Sequence, residues 1–304
     1  MRNAFADTLY DIGRADPRIC AVVADISPAG SMEKFRTEFP ERFIDVGVAE
    51  QCMIGLAAGL AIKGFRPFAY TIATFSLYRP FEMIRDDLCY QNLPVTVVGV
   101  GGGVVYSVLG GTHHAQEDIA VASAIPNMAV ISPCDPLEVR EATRYCAQAT
   151  GPIYLRLGKA GEPALTARAA DPFEFGRLRY IRKGPDGGTC ILSHGLIMKT
   201  AVEVADRLEA RGEKVSIASV HTVKPLDHQG IVRALKRHRR VVVIEEHAPH
   251  GGLASRVKEL AWDHQAGCEL KAFTLRDAFI HNYGSHTELL KAHGLDTGLI
   301  LAQI

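Results

Sequence analysis

The sequence has no excess of charge of either sign and no long run of apolar residues. It contains 34 basic and 34 acidic residues among its 304, so its formal net charge is zero. A balanced charge gives no reason to expect a surface for nucleic acid or for an anionic membrane. The longest apolar stretches fall well short of the roughly 18 residues that a membrane span requires. The residues after Met1 also lack the apolar core of a secretory signal peptide.

Cysteine is sparse, and its spacing indicates no pairing. The seven cysteines are scattered, odd in number and nowhere spaced as Cys-x-x-Cys. This pattern is typical of reduced thiols in a cytoplasmic protein, and it argues against a disulfide framework and against a zinc site. His247 and His250 lie close together in the sequence, but no third ligand stands at a suitable spacing from them. We therefore expect no metal site on this chain.

Strand-like apolar runs alternate with segments of helical periodicity in two blocks, separated by a stretch rich in glycine, proline and charge. This alternation predicts an α/β protein with two tandem domains, each a mainly parallel sheet flanked by helices. We place the first domain at 1–160, a linker at 161–187 and the second domain at 188–304. The expected strands are 19–24, 67–72, 95–100, 128–132, 153–157, 189–193, 215–220, 241–245 and 270–275. The expected helices are 48–62, 75–90, 136–148, 196–211, 227–236, 252–261 and 285–302.

The segment RFIDVGVAEQCMIGLAAGLA, residues 42–61, carries the clearest chemical pattern. A strand is expected to end at Asp45, a glycine turn follows, and Glu50 opens a helix rich in glycine and alanine. A carboxylate at a helix N-terminus is stabilised by the helix dipole. These residues alone are therefore also compatible with a simple capping role for Glu50.

The same segment resembles the pyrimidine-binding domain of transketolases and 1-deoxyxylulose-5-phosphate synthases. In that family the glutamate of a Gly-Val/Ile-x-Glu motif hydrogen-bonds N1′ of the aminopyrimidine ring of thiamine diphosphate. The resemblance implies that Glu50 is the catalytic, cofactor-binding carboxyl. A proton shared at N1′ favours the imino tautomer, whose 4′-nitrogen removes the proton from C2 of the thiazolium. The resulting ylide is the nucleophile, so the protein supplies positioning and proton exchange.

Two further segments match this family. The stretch TFSLYRPF places Phe75, Tyr78 and Phe81 at intervals of three, a spacing that is equally typical of a core stripe. The resemblance implies that these rings form the pocket around the aminopyrimidine. The stretch VVADISP contains Asp25, which is similar to a family aspartate near the thiazolium, although an Asp-x-Ser turn has the same pattern.

The loop GGGVVYSVLGGTHHAQED, residues 101–118, follows a strand that we expect to be buried. Such loops line the ligand site in doubly wound sheets. Gly111-Thr112-His113 resembles the family's Gly-Pro-Thr-His, which implies that His113 contacts substrate oxygens and transfers protons. Its neighbour His114 replaces the usual glutamine of this substrate-binding loop. Leu109 stands where the family has an aspartate that contacts a substrate hydroxyl, so the classical transketolase substrates remain in question.

Arg156, in the segment IYLRL, ends the last strand of the first domain. The family has an arginine in a similar context that can bind a substrate phosphate or acid group, and a structural ion pair is an equal alternative. In the second domain, His194-Gly195 and Glu245-Glu246-His247 also resemble the family. We expect structural or subunit-contact roles for these residues.

One motif of the family is missing. Thiamine-diphosphate enzymes hold the diphosphate through Mg²⁺ with a Gly-Asp-Gly motif, and no Gly-Asp-Gly occurs in the sequence. No domain of the necessary size precedes Arg2 here either. The resemblance therefore implies one subunit of a split enzyme. An N-terminal transketolase-like partner would supply the Mg²⁺ and diphosphate site, with α2β2 as the natural assembly.

The expected function is transfer of a two-carbon ketol unit between a ketose (phosphate) and an aldose. One alternative is condensation of a decarboxylated 2-oxoacid with an aldehyde, as in deoxyxylulose-phosphate synthase, and Leu109 keeps it open. Another is the β subunit of a 2-oxoacid dehydrogenase, which the Gly-Thr-His loop disfavours. A non-catalytic paralogue is the remaining hypothesis, and the joint presence of Glu50, Phe75 and His113 argues against it.

Overall fold

Two mainly parallel β-sheets with helices packed against them make up the fold. The computed structural model describes residues 1–25, 31–159 and 161–304 of the chain. The buried strands are short apolar runs, and the amphipathic segments between them form helices that cover the sheets. No helix in these three ranges is long and apolar enough to cross a membrane.

The first half of the chain contributes six strands and seven α-helices among the described residues. The strands are β1 (Ile19–Val23), β2 (Phe43–Asp45), β3 (Arg66–Ile72), β4 (Thr96–Val100), β5 (Ala129–Ile131) and β6 (Ile153–Leu157). The helices are α1 (Arg2–Ala15), α2 (Glu33–Glu38), α3 (Glu50–Ile62), α4 (Ala73–Leu77), α5 (Phe81–Met83), α6 (Asp118–Ala124) and α7 (Pro136–Gln148). A π-helix at Ile84–Tyr90 and 3-10 turns at Pro40–Arg42, Ser107–Leu109 and Gly111–His113 complete this half.

The second half contributes another six strands and five α-helices among the described residues. The strands are β7 (Arg179–Arg182), β8 (Thr189–Ser193), β9 (Val215–Ser219), β10 (Thr222–Lys224), β11 (Arg240–Ile244) and β12 (Glu269–Phe273). The helices are α8 (Met198–Ala210), α9 (His228–Arg237), α10 (Leu253–Asp263), α11 (His286–Ala292) and α12 (Thr297–Leu301).

The strands pair into two separate sheets. The first has the order β10-β5-β6-β4-β3-β1-β2, and its six strands from the first half are all parallel. Strand β10, from the second half, adds an antiparallel edge to this sheet with Thr222 opposite Ile131. The second sheet has the order β12-β11-β8-β9-β7, and only β7 is antiparallel. The predicted α/β class, with two mainly parallel sheets flanked by helices, is confirmed.

Alternate residues of the first sheet face two different cores. In β1, Ile19 and Val23 pack on one side with residues of α1 and α7, whereas Val22 packs on the other side with residues of α3. All five residues of β1 are buried. A strand buried on both faces is apolar at every position, which explains the continuous apolar run in the sequence.

Several predicted elements differ from those in the structure. The helix expected at 75–90 is broken into α4, α5 and the π-helix, because Pro80 has no backbone N–H to continue the ladder. The helix expected at 285–302 is divided near Gly294, which adopts a φ of +87°. The expected linker 161–187 contains β7, which pairs with β9. The domain limits given above therefore remain a proposal.

Candidate active site

The residues predicted to form the site follow the carboxyl ends of adjacent parallel strands. Asp25 follows β1, Glu50 follows β2 and Phe75 follows β3, while His113 lies in the loop after β4. Doubly wound sheets bind their ligands at this edge. The topology therefore explains how residues distant in sequence come to one place.

Glu50 is the first residue of α3, and only 2% of its side chain is exposed. The chain enters the helix through Gly47, which has a φ of +69°. Asp45 fixes this turn, because its Oδ1 accepts hydrogen bonds from the backbone N–H of Gly47 at 2.9 Å and of Asp25 at 3.2 Å. The carboxylate of Glu50 accepts a hydrogen bond from Nη1 of Arg79 at 2.7 Å. This buried carboxylate is thus engaged by a cation.

Arg79 connects Glu50 to the aromatic part of the site. Its guanidinium carbon lies 5.1 Å from the ring centroid of Phe75, within the range of a cation–π contact. The ring of Phe75 in turn meets that of His113 edge-on, with centroids 5.1 Å apart and an interplanar angle of 73°. Glu50, Arg79, Phe75 and His113 therefore form a continuous row of contacts. Arg79 was not among the predicted site residues, although its i, i+4 spacing from Phe75 is a signal for this contact.

His113 sits at the end of the 3-10 turn Gly111–His113 and is partly exposed. Its Nδ1 is 3.0 Å from the hydroxyl of Thr112, and its ring centroid is 6.3 Å from that of Tyr106. Burial lowers the pKa of His113 below its usual value. The imidazole is therefore mainly neutral near pH 7 and can accept a proton. Leu109, on the same loop, is exposed to solvent.

The two later aromatic residues take other partners. Tyr78 and Phe81 are partly buried and pack against the core beneath α3. The hydroxyl of Tyr78 donates a hydrogen bond to Oε2 of Glu117 at 2.9 Å. Burial, followed by the nearby carboxylates of Asp118 and Glu117, raises the pKa of Tyr78. Among the three predicted rings, Phe75 is the one that contacts His113.

Arg156 and His114 are buried among protein groups. Nε of Arg156 donates to Oδ2 of Asp118 at 2.8 Å, and its Nη2 donates to the backbone carbonyl of Glu246 at 3.0 Å. These contacts are the structural ion pair that the sequence left as the alternative to substrate binding. His114 is 3% exposed, and burial lowers its pKa. Neither side chain shares the open position of His113.

Asp25 is exposed and has a φ of +35°, so its backbone lies in the left-handed region. The following residues of the predicted motif, through Pro28, lie outside the described residues. Within the described ranges, no group of three or more His, Cys, Asp or Glu side chains is arranged to hold a metal ion.

Two family models match the chain, one in each half. Residues 1–161 match the model described as the transketolase pyrimidine-binding domain. Residues 176–300 match the model described as the transketolase C-terminal domain. Together they span nearly all of the sequence.

Individual relatives show the same similarity. The chain is 32% identical over 297 residues to a subunit of the apulose-4-phosphate transketolase of Phocaeicola vulgatus, covering 97% of this chain and 93% of that protein. It is 34% identical over 303 residues to 1-deoxy-D-xylulose-5-phosphate synthase of Oleidesulfovibrio alaskensis, but it spans only 47% of that enzyme. A solved structure, a split-gene transketolase described as an inactive β4 tetramer, superposes with a TM-score of 0.88 at 33% identity. That match covers 99% of this chain and 95% of the other.

Proposed function

The chain belongs to the transketolase family, and we propose that it is the C-terminal subunit of a split, thiamine-diphosphate-dependent transketolase. The proposed reaction transfers a two-carbon ketol unit from a ketose, or a ketose phosphate, to an aldose. The relative from Phocaeicola vulgatus, which is itself named as one subunit of a transketolase, has about the same length as this chain and supports this assignment. The cytoplasm, expected from the cysteine pattern, is the proposed setting.

One observation carries the proposal: the buried carboxylate of Glu50 lies in contact, through Arg79, with the ring of Phe75 and with His113. If the carboxylate at the start of α3 faced solvent, its only expected role would be to stabilise the helix N-terminus. Here it points into the protein, at the sheet edge where ligands bind. A carboxyl group, a flat apolar ring and an imidazole are the groups needed to bind an aminopyrimidine and to move protons beside it.

These residues fit the aminopyrimidine end of thiamine diphosphate. Glu50 would share a proton with the ring nitrogen N1′, and Phe75 would pack against the ring. When bound, the cofactor supplies a carbon nucleophile at C2 of its thiazolium and an electron sink for the two-carbon unit. The protein's contribution is to hold the ring in place and to hold the proton at the Glu50 carboxyl.

His113 would act on the substrate. Its pKa is lowered by burial, so its neutral ring can accept a proton from a donor hydroxyl and return it to an acceptor carbonyl. Tyr106 and Phe75 limit the movement of the imidazole from two sides. We assign His113 as the acid and base for the substrate, and Glu50 as the proton partner of the cofactor.

The proposal includes a second kind of subunit. An N-terminal partner would hold the diphosphate and Mg²⁺, and the active site would form where the two chains meet, in an α2β2 assembly. Val48, two residues before Glu50, is 71% exposed, and this apolar side chain supports a contact there. The solved relative, a split-gene enzyme whose β4 tetramer is described as inactive, also supports the need for a partner.

A second reaction is supported by the similarity to 1-deoxy-D-xylulose-5-phosphate synthase, and Leu109 leaves it open. Leu109 is exposed in the loop that carries His113, and it cannot accept a hydrogen bond from a sugar hydroxyl. The similarity to 1-deoxy-D-xylulose-5-phosphate synthase agrees with a 2-oxoacid donor, whose reaction begins with decarboxylation. Condensation of that two-carbon unit with an aldehyde is therefore the second candidate.

Reconstitution tests the proposal. The chain is mixed with an N-terminal partner that carries Gly-Asp-Gly, with thiamine diphosphate and Mg²⁺, and is supplied in turn with ketose phosphates, free ketoses and 2-oxoacids. We expect transfer only when both subunits are present, and the preferred donor separates the two candidate reactions. Tight Mg²⁺-dependent binding of thiamine diphosphate by this chain alone would contradict the split site.

A further inference from the structure

A short segment of the second half of the chain holds both ends of the loop that carries His113. We call this segment, Glu246–Ala248, the clamp segment; it begins two residues after the end of β11. Oε1 of Glu246 accepts a hydrogen bond from the backbone N–H of Val104 at 2.7 Å, where the loop begins. The backbone N–H of Ala248 donates to the carbonyl of Gln116 at 2.7 Å, where the loop ends. The loop is therefore tied at both of its ends to another part of the chain.

A second contact strengthens the outer end of the clamp segment. Nε2 of His247 accepts a hydrogen bond from the backbone N–H of Ala120 at 3.2 Å, and its Nδ1 is 2.8 Å from the carbonyl oxygen of Ala248. These two contacts agree with one neutral tautomer, in which Nδ1 carries the proton. The ring thus joins the clamp segment to α6.

The stem of the loop is the antiparallel bridge between Gly103 and Ala115, whose two backbone hydrogen bonds measure 2.9 and 2.8 Å. Gly103 has a φ of +74°, and a Cβ added there would lie 2.4 Å from Oε1 of Glu246. A Cβ on Gly102 would lie 2.3 Å from Nε of Arg156. Because Gly102 and Gly103 have no Cβ, the side chains of Arg156 and Glu246 can lie directly against the backbone of the stem.

Glu246 itself is 1% exposed, and its charge is matched by nearby cations. Oε1 is 2.8 Å from Nε2 of His286 on α11, and Nη2 of Arg156 donates to the Glu246 carbonyl. Burial alone would raise the pKa of Glu246, but His286 and then Arg156 lower it below its usual value. An ionised carboxylate makes a stronger hydrogen bond to the N–H of Val104 than a neutral group would.

We propose that Glu246 is a positioning residue, which fixes the stem of the loop so that His113 stays against Phe75. This inference rests on the proposed function of His113. Glu246, in the second half of the chain, would then affect the reaction by positioning His113, without itself touching cofactor or substrate. His286 is the outer end of this arrangement, and it also lines a cavity of about 260 Å³ together with Cys134 and Lys199.

The proposed role of Glu246 has different consequences for two steps of catalysis, proton exchange at C2 of the cofactor and ketol transfer. Proton exchange at C2 of the cofactor depends on Glu50, which lies on α3 and has no bond to the loop stem. Ketol transfer depends on His113, which the stem positions. Loss of the Glu246 carboxylate should therefore reduce transfer and leave C2 exchange intact. A general loss of folding would reduce both.

The test uses Glu246→Ala and Glu246→Gln in the reconstituted complex, with Glu245→Gln as the matched control. Glu245 is equally buried, but its carboxylate accepts hydrogen bonds from the backbone of Leu253 and Ala254 in its own half of the chain. We expect Glu246→Ala to lower kcat for transfer by about 10- to 100-fold, with KM for the donor changed less. Glu246→Gln should recover most of this loss, because its amide oxygen still accepts the Val104 N–H. The Glu245 variant should keep the ratio of transfer to C2 exchange.

Amide hydrogen exchange on the full chain alone supplies a second measurement that needs no activity. Glu246→Ala should lose protection at Val104 and Ala115, and Glu245→Gln should not. Unchanged protection, or transfer and C2 exchange falling together, would overturn the positioning role. A wild-type complex that performs neither C2 exchange nor transfer would overturn the proposed function instead, and amide exchange would still show whether Glu246 holds the stem.

Discussion

The carboxylate of Glu50 and the guanidinium of Arg79 form an ion pair at 2.7 Å in which one partner is buried and the other is not. The Glu50 side chain is 2% exposed and that of Arg79 is 48% exposed. A buried charge is costly unless a partner compensates it, so Arg79 reduces the cost of burying the carboxylate. Because Arg79 reaches solvent, it can also move aside when another group binds Glu50. The pair thus links the stability of the chain to the accessibility of the carboxyl that we propose to bind the cofactor.

We therefore predict that Arg79→Met destabilises the isolated chain by about 1–2 kcal/mol, less than for a fully buried pair because Arg79 is half exposed. Urea unfolding measures this change. Arg85→Met is the control, since Arg85 pairs with Asp86 at the surface and its loss should cost under about 0.5 kcal/mol. A double-mutant cycle with Glu50→Gln should show coupling. If the two changes add within about 0.3 kcal/mol, the pair does not contribute as described.

Glu50→Gln should abolish most C2 proton exchange in the assembled enzyme. Glutamine keeps the size and polarity of the side chain, but it cannot share a proton with N1′. We expect a decrease of about 100-fold or more, the usual contribution of a positioned proton-transfer group. NMR exchange of the C2 proton in deuterated buffer measures it. Glu41→Gln, at an exposed glutamate before β2, is the control and should leave the exchange rate unchanged. If Glu50→Gln exchanges the C2 proton as fast as wild type, Glu50 does not have its assigned role.

Local sequence patterns predicted most of the parallel strands, because buried parallel strands are mainly apolar. The run Val95–Val100 and the strand β6 were placed within a residue of their observed limits. The same patterns could not place the breaks in the helix after β3. Period-three aromatic spacing does not say which ring faces a site. In the structure Phe75 contacts His113, whereas Tyr78 donates a hydrogen bond to Glu117.

The remaining features of the site depend on contacts between distant parts of the chain. Glu246 reaches Val104 across 142 positions of sequence, and nothing near either residue indicates the contact. Arg156 matches an arginine of the family in the sequence, but the position of its guanidinium is set by the hydrogen bond to Asp118. Motif resemblance predicted Glu50, Phe75 and His113 as site residues, and the structure brings Phe75 and His113 into contact. The fold then supplied the neighbours that determine what each can do.

Acidification should destabilise the folded chain, and His221 should account for part of the loss. Burial, and then the positive charge of Arg179, lowers the pKa of His221 to about 3, against about 6.5 for an unfolded histidine. Between these values the unfolded chain binds a proton that the folded chain does not. Stability therefore falls as the pH falls below about 6.5, by up to about 1.4 kcal/mol per pH unit for this residue.

Urea unfolding at pH 7 and pH 5.5, for wild type and His221→Gln, measures this dependence. The variant should lose stability overall, because His221 stacks on Phe173 with ring centroids 4.2 Å apart, but its pH slope should be smaller than that of wild type. His281→Gln, at an exposed loop position, should leave the slope unchanged. Equal slopes in wild type and His221→Gln would show that the pKa of His221 does not differ between the folded and the unfolded chain.

Leu109→Asp should shift the enzyme toward hydroxylated donors. The side chain of Leu109 is 48% exposed, so the substitution should leave folding intact. An aspartate at this place would accept a hydrogen bond from a donor hydroxyl, which a charged acceptor stabilises by an amount equivalent to about tenfold or more in kcat/KM. We expect kcat/KM to rise for ketoses relative to 2-oxoacids in the reconstituted complex. Val108→Asp, at an adjacent residue that is 63% exposed, adds the same charge without replacing the family position. If both variants change the ratio of kcat/KM for ketoses to kcat/KM for 2-oxoacids equally, the added charge alone explains the effect. If neither variant changes this ratio, position 109 does not select the donor.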